Sequence, residues 1–169
     1  MPRRIEELEE PWKIPEVREK AEEIMQFIFE KSQEYIAEQK LWSGQRRPSS
    51  ISDTGFLLRS GTPPEWIEPN MLQIEYNAPY AMYVEYGTGP HPVPPQVLIG
   101  WVRRKLGIKS KKAASVAWAI ANKISKQGTQ PKPFLRTAIN DAIYEFKLTI
   151  KPIDIDIKLN TAPGQKENV

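Results

Sequence analysis

The chain has 169 residues, 40% of them hydrophobic and 27% charged, with a formal net charge of +3, which is typical of a single folded domain and argues against a wholly disordered chain. The absence of cysteine excludes disulfides, iron–sulfur clusters and Cys-ligated zinc, and a single histidine, His91, makes a histidine-rich metal site or a Ser–His–Asp triad hard to build. No apolar run approaches the roughly 20 residues that span a bilayer, so we expect a soluble protein without a membrane partner.

The first third of the chain predicts an arm, a long helix and a loop. Residues 1–14 are charged and form an N-terminal arm, and residues 15–40 carry apolar side chains at spacings of three and four, as in an amphipathic helix. This helix packs one stripe on a sheet or, in the alternative interpretation, faces a partner. Residues 43–54 are polar and contain glycine and proline, which predicts a loop.

Two short strands and a helical turn are predicted next. Residues 56–60 and 71–76 have strand-like patterns, and the turn-forming residues between them predict a hairpin with a wide connection. Pro79 then opens a short helical turn that Gly87 ends in the left-handed conformation. The residues that share one face of this turn are Tyr80, Tyr83 and Val84. Residues 87–96 contain four prolines and two glycines, which predicts a loop with extended pieces.

Three more helices are predicted in the second half of the chain. The first covers about 97–106 and ends at a glycine. The second covers about 116–124, with Ser110 as a candidate N-cap and Gly128 just past the end. The third runs from about 133 to 146 and carries apolar residues at helical spacing.

The clearest strand pattern lies near the C-terminus. Residues 153–159 alternate strictly between aliphatic and charged side chains, which predicts a strand with one buried face and one wet face. Residues 160–169 predict a flexible C-terminal tail. Helices and antiparallel strands are mixed without a regular βαβ alternation, so we expect a single α+β domain over 15–159.

Groups suited to catalysis or metal binding are few. Asp154 and Asp156 share the polar face of their strand, which is a solvated face or, in the alternative, a site for a divalent cation. Residues 87–89 have a Gly-Thr-Gly sequence but lack a phosphate-binding pattern, and Pro90 removes a backbone donor that such a loop needs. We therefore expect no enzymatic activity, no cofactor and no metal.

Two clusters are candidate binding surfaces. Six cationic side chains within ten residues form a basic patch, namely Arg103, Arg104, Lys105, Lys109, Lys111 and Lys112. Such a run is a solvated helix end, a contact for an acidic protein partner, or a surface that neutralises nucleic-acid phosphates. A dense group of tyrosines serves either packing or a subunit interface, and it consists of Tyr76, Tyr80, Tyr83 and Tyr86.

Three motifs follow the long helix in a recognisable order. They are Asp53-Thr54-Gly55-Phe56-Leu57-Leu58-Arg59-Ser60, then Ala78-Pro79-Tyr80-Ala81 through Val84-Glu85-Tyr86-Gly87-Thr88, and then Pro131-Lys132-Pro133-Phe134-Leu135-Arg136-Thr137-Ala138. In this order they resemble the minor structural proteins that complete the tail, or join head to tail, in long-tailed bacteriophages and related proviruses. The family pattern reads T-G-x-L-x-x-S, then Y-A-x-x-V-E-x-G-T, then P-x-P-F-L-x-x-A. The resemblance covers residues 15–150, and the chain departs from it at Gly61, where family members often have an aliphatic residue.

The resemblance implies a non-enzymatic assembly protein in which a helix packs on a curved antiparallel sheet. It implies a homo-oligomeric ring, hexameric or higher, that contacts the tail tube and the neck or portal-side proteins. DNA passes through such a ring without sequence-specific binding. The expected location is the tail or neck of the virion, after assembly in the host cytoplasm. A tail terminator is the preferred role, a head-side stopper or adaptor of the neck is the alternative, and a nucleic-acid-binding module using residues 103–112 is the rival from another class.

The resemblance also implies which residues matter for assembly. The motif residues are Gly55, Ser60, Tyr80, Val84, Glu85, Gly87, Thr88, Pro133, Phe134 and Leu135. The proline-rich segment is a candidate docking loop that loses little entropy on ordering, and it contains Gly89, Pro90, His91, Pro92, Pro94 and Pro95. We expect Gly87, Phe134 and Leu135 to act as fold determinants rather than as contacts, since a glycine suits a special backbone turn and the apolar pair suits a helix anchor.

Overall fold

In a computed structural model, residues 10–37, 53–108 and 111–148 are described, and they form an α+β fold. The elements are α1 (Pro15–Ala37), α2 (Phe56–Arg59), β1 (Gly61–Glu68), β2 (Met71–Tyr76), α3 (Ala81–Tyr86), α4 (Pro95–Leu106), α5 (Lys112–Gln127) and α6 (Leu135–Glu145). A short 3-10 helix, Pro11–Lys13, precedes α1. The expected fold class is confirmed, because the long α1 packs on an antiparallel sheet and further helices follow it.

The main core lies between α1, α6 and the inner face of the sheet. The buried residues of α1 are Ile28, Ser32 and Ile36, whose spacing of four keeps them on one face of the helix. The α6 helix packs along this stripe, and the rings of Phe27 and Phe146 meet edge to face with centroids 5.3 Å apart. The predicted amphipathic helix therefore has its stripe in the core of its own chain.

Tyr76, the last residue of β2, places a hydroxyl inside this core. It is 1% exposed, shares a hydrogen bond of 2.6 Å with the Ser32 hydroxyl and accepts one of 3.0 Å from the Gln33 amide. Burial raises the pKa of Tyr76 to about 12, although its hydrogen bonds to Ser32 and Gln33 act in the opposite direction. The ring of Tyr76 also meets Phe134 edge to face at 5.0 Å, so this residue links the sheet to α1 and α6.

The predicted hairpin is present, but its first strand was assigned to the wrong residues. Residues 56–60 are not a strand, since Phe56–Arg59 form α2, and a four-residue apolar run does not distinguish the two structures. The strand β1 lies instead in the segment predicted as the wide connection, and only Pro69 and Asn70 separate it from β2. Its prolines are tolerated because the strand register shifts between Thr62 and Glu65, where ladder hydrogen bonds are interrupted.

The helices α4 and α5 form a hairpin with a small core of its own. Val102, Ala113 and Ala117 are fully buried there, and the two alanines allow the helices to approach closely. Among the described elements, α4 and α5 pack mainly against each other. The predicted ends of both helices are confirmed, because Gly107 follows α4 in the left-handed conformation and Gly128 is the C-cap of α5.

Several predictions fall outside the described residues. They concern most of the N-terminal arm and of the loop 43–54, the N-cap Ser110, the strand 153–159 with Asp154 and Asp156, the tail 160–169, and Lys109 of the basic patch. Within the described residues the sheet has two strands. In that same part of the chain, no helix combines the length and the apolar character needed to cross a membrane.

Candidate functional site

Glu85 joins two of the three motifs. Its carboxylate is fully buried and lies at the N-terminus of α6. One oxygen, Oε2, accepts the backbone N–H groups of Phe134 at 2.8 Å and Leu135 at 3.0 Å, while Oε1 accepts the backbone N–H and the Nε–H of Arg136 at 3.1 and 3.0 Å. The first N–H groups of a helix have no intrahelical acceptor and carry a partial positive charge, so a carboxylate satisfies them well. A side chain 49 residues upstream thereby caps α6.

We call the contact between Glu85 and the first residues of α6 the joint. Arg136 completes the joint from the solvent side. Its Nη2 donates to the backbone oxygen of Glu85 at 3.1 Å, and its guanidinium carbon lies 4.7 Å from the centre of the Tyr86 ring. The Arg136 side chain is 46% exposed, whereas its carboxylate partner is 0% exposed. Backbone donors therefore supply most of the buried contacts to Glu85, and the ion pair with Arg136 lies between the carboxylate and solvent.

The segments on either side of the α4–α5 hairpin meet in a second joint, which we call the hairpin base. Thr88 and Thr129 exchange two backbone hydrogen bonds of 3.1 Å, and their hydroxyls lie 2.9 Å apart. Gly87 and Gly128 stand beside them with φ of 74° and 70°. At either glycine a Cβ would collide with backbone atoms of the opposite segment, so the close approach requires both glycines.

The structure refines the predicted role of Gly87. Its φ is positive, as expected, but its ψ of −172° lies outside the left-handed helical region, so it does not end α3 with a left-handed cap. The adjacent Val84 accepts a hydrogen bond of 2.8 Å from the Lys132 backbone N–H. Phe134 and Leu135 are 0% and 7% exposed, and Pro133 accepts the Thr137 hydroxyl at 2.8 Å. These motif residues therefore build the interior of the joint.

The first motif lies at the edge of the same region. Gly55 precedes α2 with a φ of 76°, and Ser60 ends α2 while its carbonyl accepts the Asn77 backbone N–H at 3.0 Å. Tyr80 precedes α3, is 40% exposed, and its ring centre lies 6.2 Å from that of Phe56, which is 46% exposed. Exposed aromatic side chains continue along α3 at Tyr83 and Tyr86. Of the predicted tyrosine group, Tyr76 serves packing and the other three reach the surface.

The candidate docking loop covers one side of the α4–α5 hairpin. Within it, Gly89, Pro90 and Pro94 are exposed, and the His91 Nδ1 lies 2.9 Å from the Gly89 carbonyl oxygen. Pro95 is the first residue of α4, where its missing N–H is not needed. An open cleft of about 650 Å³ separates loop and helix, and it is lined by Pro92, Val93, Pro95, Trp118, Ala119, Ala121, Asn122 and Ser125. Trp118 is 63% exposed at its edge.

The basic patch is spread around the turn between α4 and α5. Arg103, Lys111 and Lys112 are exposed, and Lys105 is half-buried. Arg104 forms an ion pair of 2.6 Å with Asp53, and that hydrogen bond raises the pKa of the Arg104 guanidinium. One of the six predicted cations therefore fastens the hairpin to the segment before α2.

The structure also reveals a separation of charge that motif reasoning missed. Residues 87–140 contain ten lysines and arginines and no aspartate or glutamate, so the basic patch is part of a much longer acid-free segment. By contrast, α1 and the β-hairpin together carry nine glutamates and three cationic residues. A count of acidic residues along the sequence identifies the acid-free segment 87–140. A search for dense cationic runs identifies only the basic patch at the centre of that segment.

No arrangement typical of metal chemistry occurs at these joints. Among residues 10–37, 53–108 and 111–148, no group of three or more histidine, aspartate or glutamate side chains is placed to hold a metal ion. Comparison of the chain with protein-family models, with curated proteins and with solved structures found no match. The geometry of the joints and the order of the motifs are therefore the observations from which a function is inferred.

Proposed function

We propose that the protein is a non-enzymatic virion assembly protein that forms a ring at the head–tail junction of a tailed bacteriophage or provirus. The tail terminator or tail-completion role is preferred over that of a head-side stopper. The observation that carries the proposal is the convergence of the motifs. The second and third meet at the carboxylate of Glu85, and the first abuts α3 through Phe56 and Tyr80. Motifs that specify one connected structure are stronger support for the resemblance than the same motifs scattered over the surface.

The outer surface around the joint also suits assembly. Tyrosine and tryptophan are enriched at protein interfaces because they combine a large contact area with a polar tip. Here Tyr80 and Tyr86 are 40% and 47% exposed beside the joint, and Trp118 on α5 is 63% exposed. A ring subunit needs two different contact surfaces, and the glutamate-rich α1 and β-hairpin differ in charge from the acid-free segment 87–140, which contains the α4–α5 hairpin.

The test is removal of the gene from the virus or provirus that carries it, followed by electron microscopy of the lysate. Filled heads lying apart from tails, or tails of uncontrolled length, are the expected result. Overlong tails would identify a terminator, and normal tails beside leaking heads would identify a stopper. Intact, normally joined particles would reject the proposal. Steep salt-dependent DNA binding that charge reversal at Arg103 and Lys111 abolishes would then favour the nucleic-acid module.

Complementation links the phenotype to the structure. The wild-type gene and a Glu19→Gln variant, which changes an exposed carboxylate on α1, should restore joined particles. A Glu85→Ala variant should fail, because it removes the acceptor of the first N–H groups of α6. Full rescue by Glu85→Ala would show that the motif carboxylate is dispensable and would remove the main support for the proposal.

A further inference from the structure

The tip of the β-hairpin is an acidic surface with an apolar centre. Glu65 and Glu68 are exposed there, and between them Ile67 is 54% exposed. Met71, directly after the turn, is 40% exposed. The hairpin contains three glutamates and no lysine or arginine. We call this surface the acidic end.

The tip is held firmly against the first turns of α1. The indole N–H of Trp66 donates to the Glu22 carboxylate at 2.5 Å, and the Arg18 guanidinium lies 3.8 Å from the centre of the Trp66 ring. Arg18 also donates to the Pro69 carbonyl oxygen at 3.0 Å. The acidic end is therefore a preorganised surface, and little ordering is required when it meets a partner.

The α4–α5 hairpin has the opposite charge around its own apolar centre. Lys111, which precedes α5, and Trp118 and Lys126 within it lie inside a sector of about 80° around the helix axis, since steps of seven and eight residues turn by about −20° and +80°. Trp118 is 63% exposed beside the cleft, and Val97 on α4 is 66% exposed. We call this surface the basic end.

The acidic end and the hairpin base are connected to different parts of α1. The acidic end contacts Arg18 in α1, whereas β2 finishes at Tyr76 against Ser32, 14 residues further along the helix. At a rise of 1.5 Å per residue these two points are about 21 Å apart. Tyr76 contacts Phe134 at the start of α6, which Glu85 caps, and the hairpin base follows directly after Glu85, so the hairpin base is connected to the Tyr76 end of α1 rather than to the Arg18 end.

From this geometry we infer that the basic end of one copy docks on the acidic end of a second copy of this chain. The cationic side chains of α5 face Glu65 and Glu68, and Trp118 with its cleft receives the apolar side chains of the hairpin tip. Two different surfaces of one chain make a head-to-tail contact, which closes into a ring when the rotation per copy allows it. The inference rests on the proposed assembly function, because it names the surfaces that join neighbouring subunits.

A second copy fits the basic end better than nucleic acid does. Phosphate binding requires positive charge alone, whereas this surface contains an exposed tryptophan beside a cleft whose lining is mainly apolar. An interface with an apolar centre and a charged rim is typical of protein partners. The acidic end also has an apolar centre and a charged rim, but its rim is negative. The chain therefore carries a surface that is complementary to its own basic end.

Charge reversal at each end tests the inference with purified full-length protein. The basic-end variant carries Lys111→Glu and Lys126→Glu, and the acidic-end variant carries Glu65→Lys and Glu68→Lys. Analytical ultracentrifugation at low salt should show self-association of the wild-type chain that each variant weakens more than about tenfold, since like charges then face each other. Equal amounts of the two variants should associate again, because each provides an end of the sign that the other lacks.

Cysteine cross-linking tests the same contact without altering charge. The chain contains no cysteine, so an Asn70→Cys and Asn122→Cys double variant places one thiol at each end. Mild oxidation should yield covalent dimers and longer chains. The matched control pairs Asn122→Cys with Asn140→Cys, an equally exposed asparagine on α6 away from the acidic end, and it should yield few.

Three results would overturn the inference. They are a wild-type chain that stays monomeric at low salt together with an Asn70→Cys and Asn122→Cys variant that gives no cross-link, a mixture of the charge-reversal variants that does not associate, and a control pair that cross-links as well as the test pair. DNA binding that the basic-end variant loses while self-association stays unchanged would assign the basic end to nucleic acid instead. Particle formation that requires the gene, combined with any of these results, would reject the two ends and keep the assembly function. Association through both ends, combined with normal particles after gene removal, would keep the two ends and reject the assembly function.

Discussion

Replacement of Glu85 by glutamine should destabilise the protein by about 2–3 kcal/mol. The carboxylate accepts three backbone N–H groups and the Nε–H of Arg136, whereas a glutamine amide has one accepting oxygen and an NH₂ group that faces donors. If the amide oxygen takes the position of Oε2, the bonds to Phe134 and Leu135 persist, and the backbone N–H and Nε–H of Arg136 lose their acceptor while its Nη2 keeps the bond to the backbone oxygen of residue 85. A hydrogen bond to a charged group contributes about 1.5–3 kcal/mol, and a charge at a helix N-terminus adds about 0.3–1 kcal/mol. Because the Arg136 side chain is 46% exposed, water replaces part of that loss.

Denaturant unfolding followed by circular dichroism measures this change directly. Glu85→Ala should cost about 4 kcal/mol or more, since it also leaves the buried N–H groups of Phe134 and Leu135 without an acceptor and opens a cavity. Arg136→Ala should cost less than Glu85→Gln, because three backbone donors still surround the carboxylate. The control Glu19→Gln should stay within about 0.5 kcal/mol of the wild type. A Glu85→Gln variant as stable as the control, or an Arg136→Ala variant less stable than Glu85→Gln, would refute the capping argument.

Three further substitutions test other parts of the fold. Gly128→Ala should destabilise the protein by about 3 kcal/mol or more in thermal unfolding, since the φ of Gly128 is 70° and the new Cβ would overlap a carbonyl of the hairpin base. The control Gly89→Ala should be nearly neutral, because a Cβ at Gly89 meets nothing within 4 Å. The folded pKa of Tyr76, about 12, exceeds the ordinary tyrosine value of 10.0, so the contribution of Tyr76 to stability is complete below pH 10 and falls above pH 10 by up to about 1.4 kcal/mol per pH unit. Unfolding curves of Tyr76→Phe should therefore show a shallower alkaline loss than those of the wild type, and equal slopes would contradict this. Asp53→Asn should cost less than about 1 kcal/mol, with a smaller effect in high salt, because its ion pair with Arg104 is at the surface; a larger, salt-independent loss would contradict that assignment.

Local periodicity was sufficient for the long helices and insufficient for short elements. The spacing of apolar residues predicts α1, α4, α5 and α6 because each is long enough for the 3.6-residue period to repeat. Over residues 56–68 the sequence predicted a strand where α2 lies and a connection where β1 lies. The apolar runs there are too short to show a period, and the residue types favour conflicting structures. Prolines at positions 63 and 64 indicate a loop, yet an interruption in the ladder accommodates them in β1.

The candidate site was predictable as a set of motifs but not as a mechanism of folding. The sequence reveals Glu85 beside a glycine and an apolar pair in a later segment, and it predicts that the glycine and the apolar pair are structural. It does not reveal that the carboxylate caps α6, because the partners are 49 to 51 residues away and their hydrogen bonds use backbone atoms, which every sequence has. Long-range contacts to the backbone leave no trace in local composition.

The motif residues of the joint and the hairpin base are not the residues of the acidic and basic ends, and this difference has a physical consequence. Glu85, Gly87 and Thr88 are at the joint and the hairpin base, whereas Lys111, Trp118 and Lys126 lie on the hairpin itself. The α4–α5 hairpin packs mainly on itself, so its direction depends on the two backbone segments that meet at Thr88 and Thr129 and on the ion pair between Arg104 and Asp53. In a closed ring a small error in the direction of each subunit accumulates around the circle. Residues that fix this direction are therefore as necessary for closure as residues that touch the neighbouring copy, even though they contact no partner.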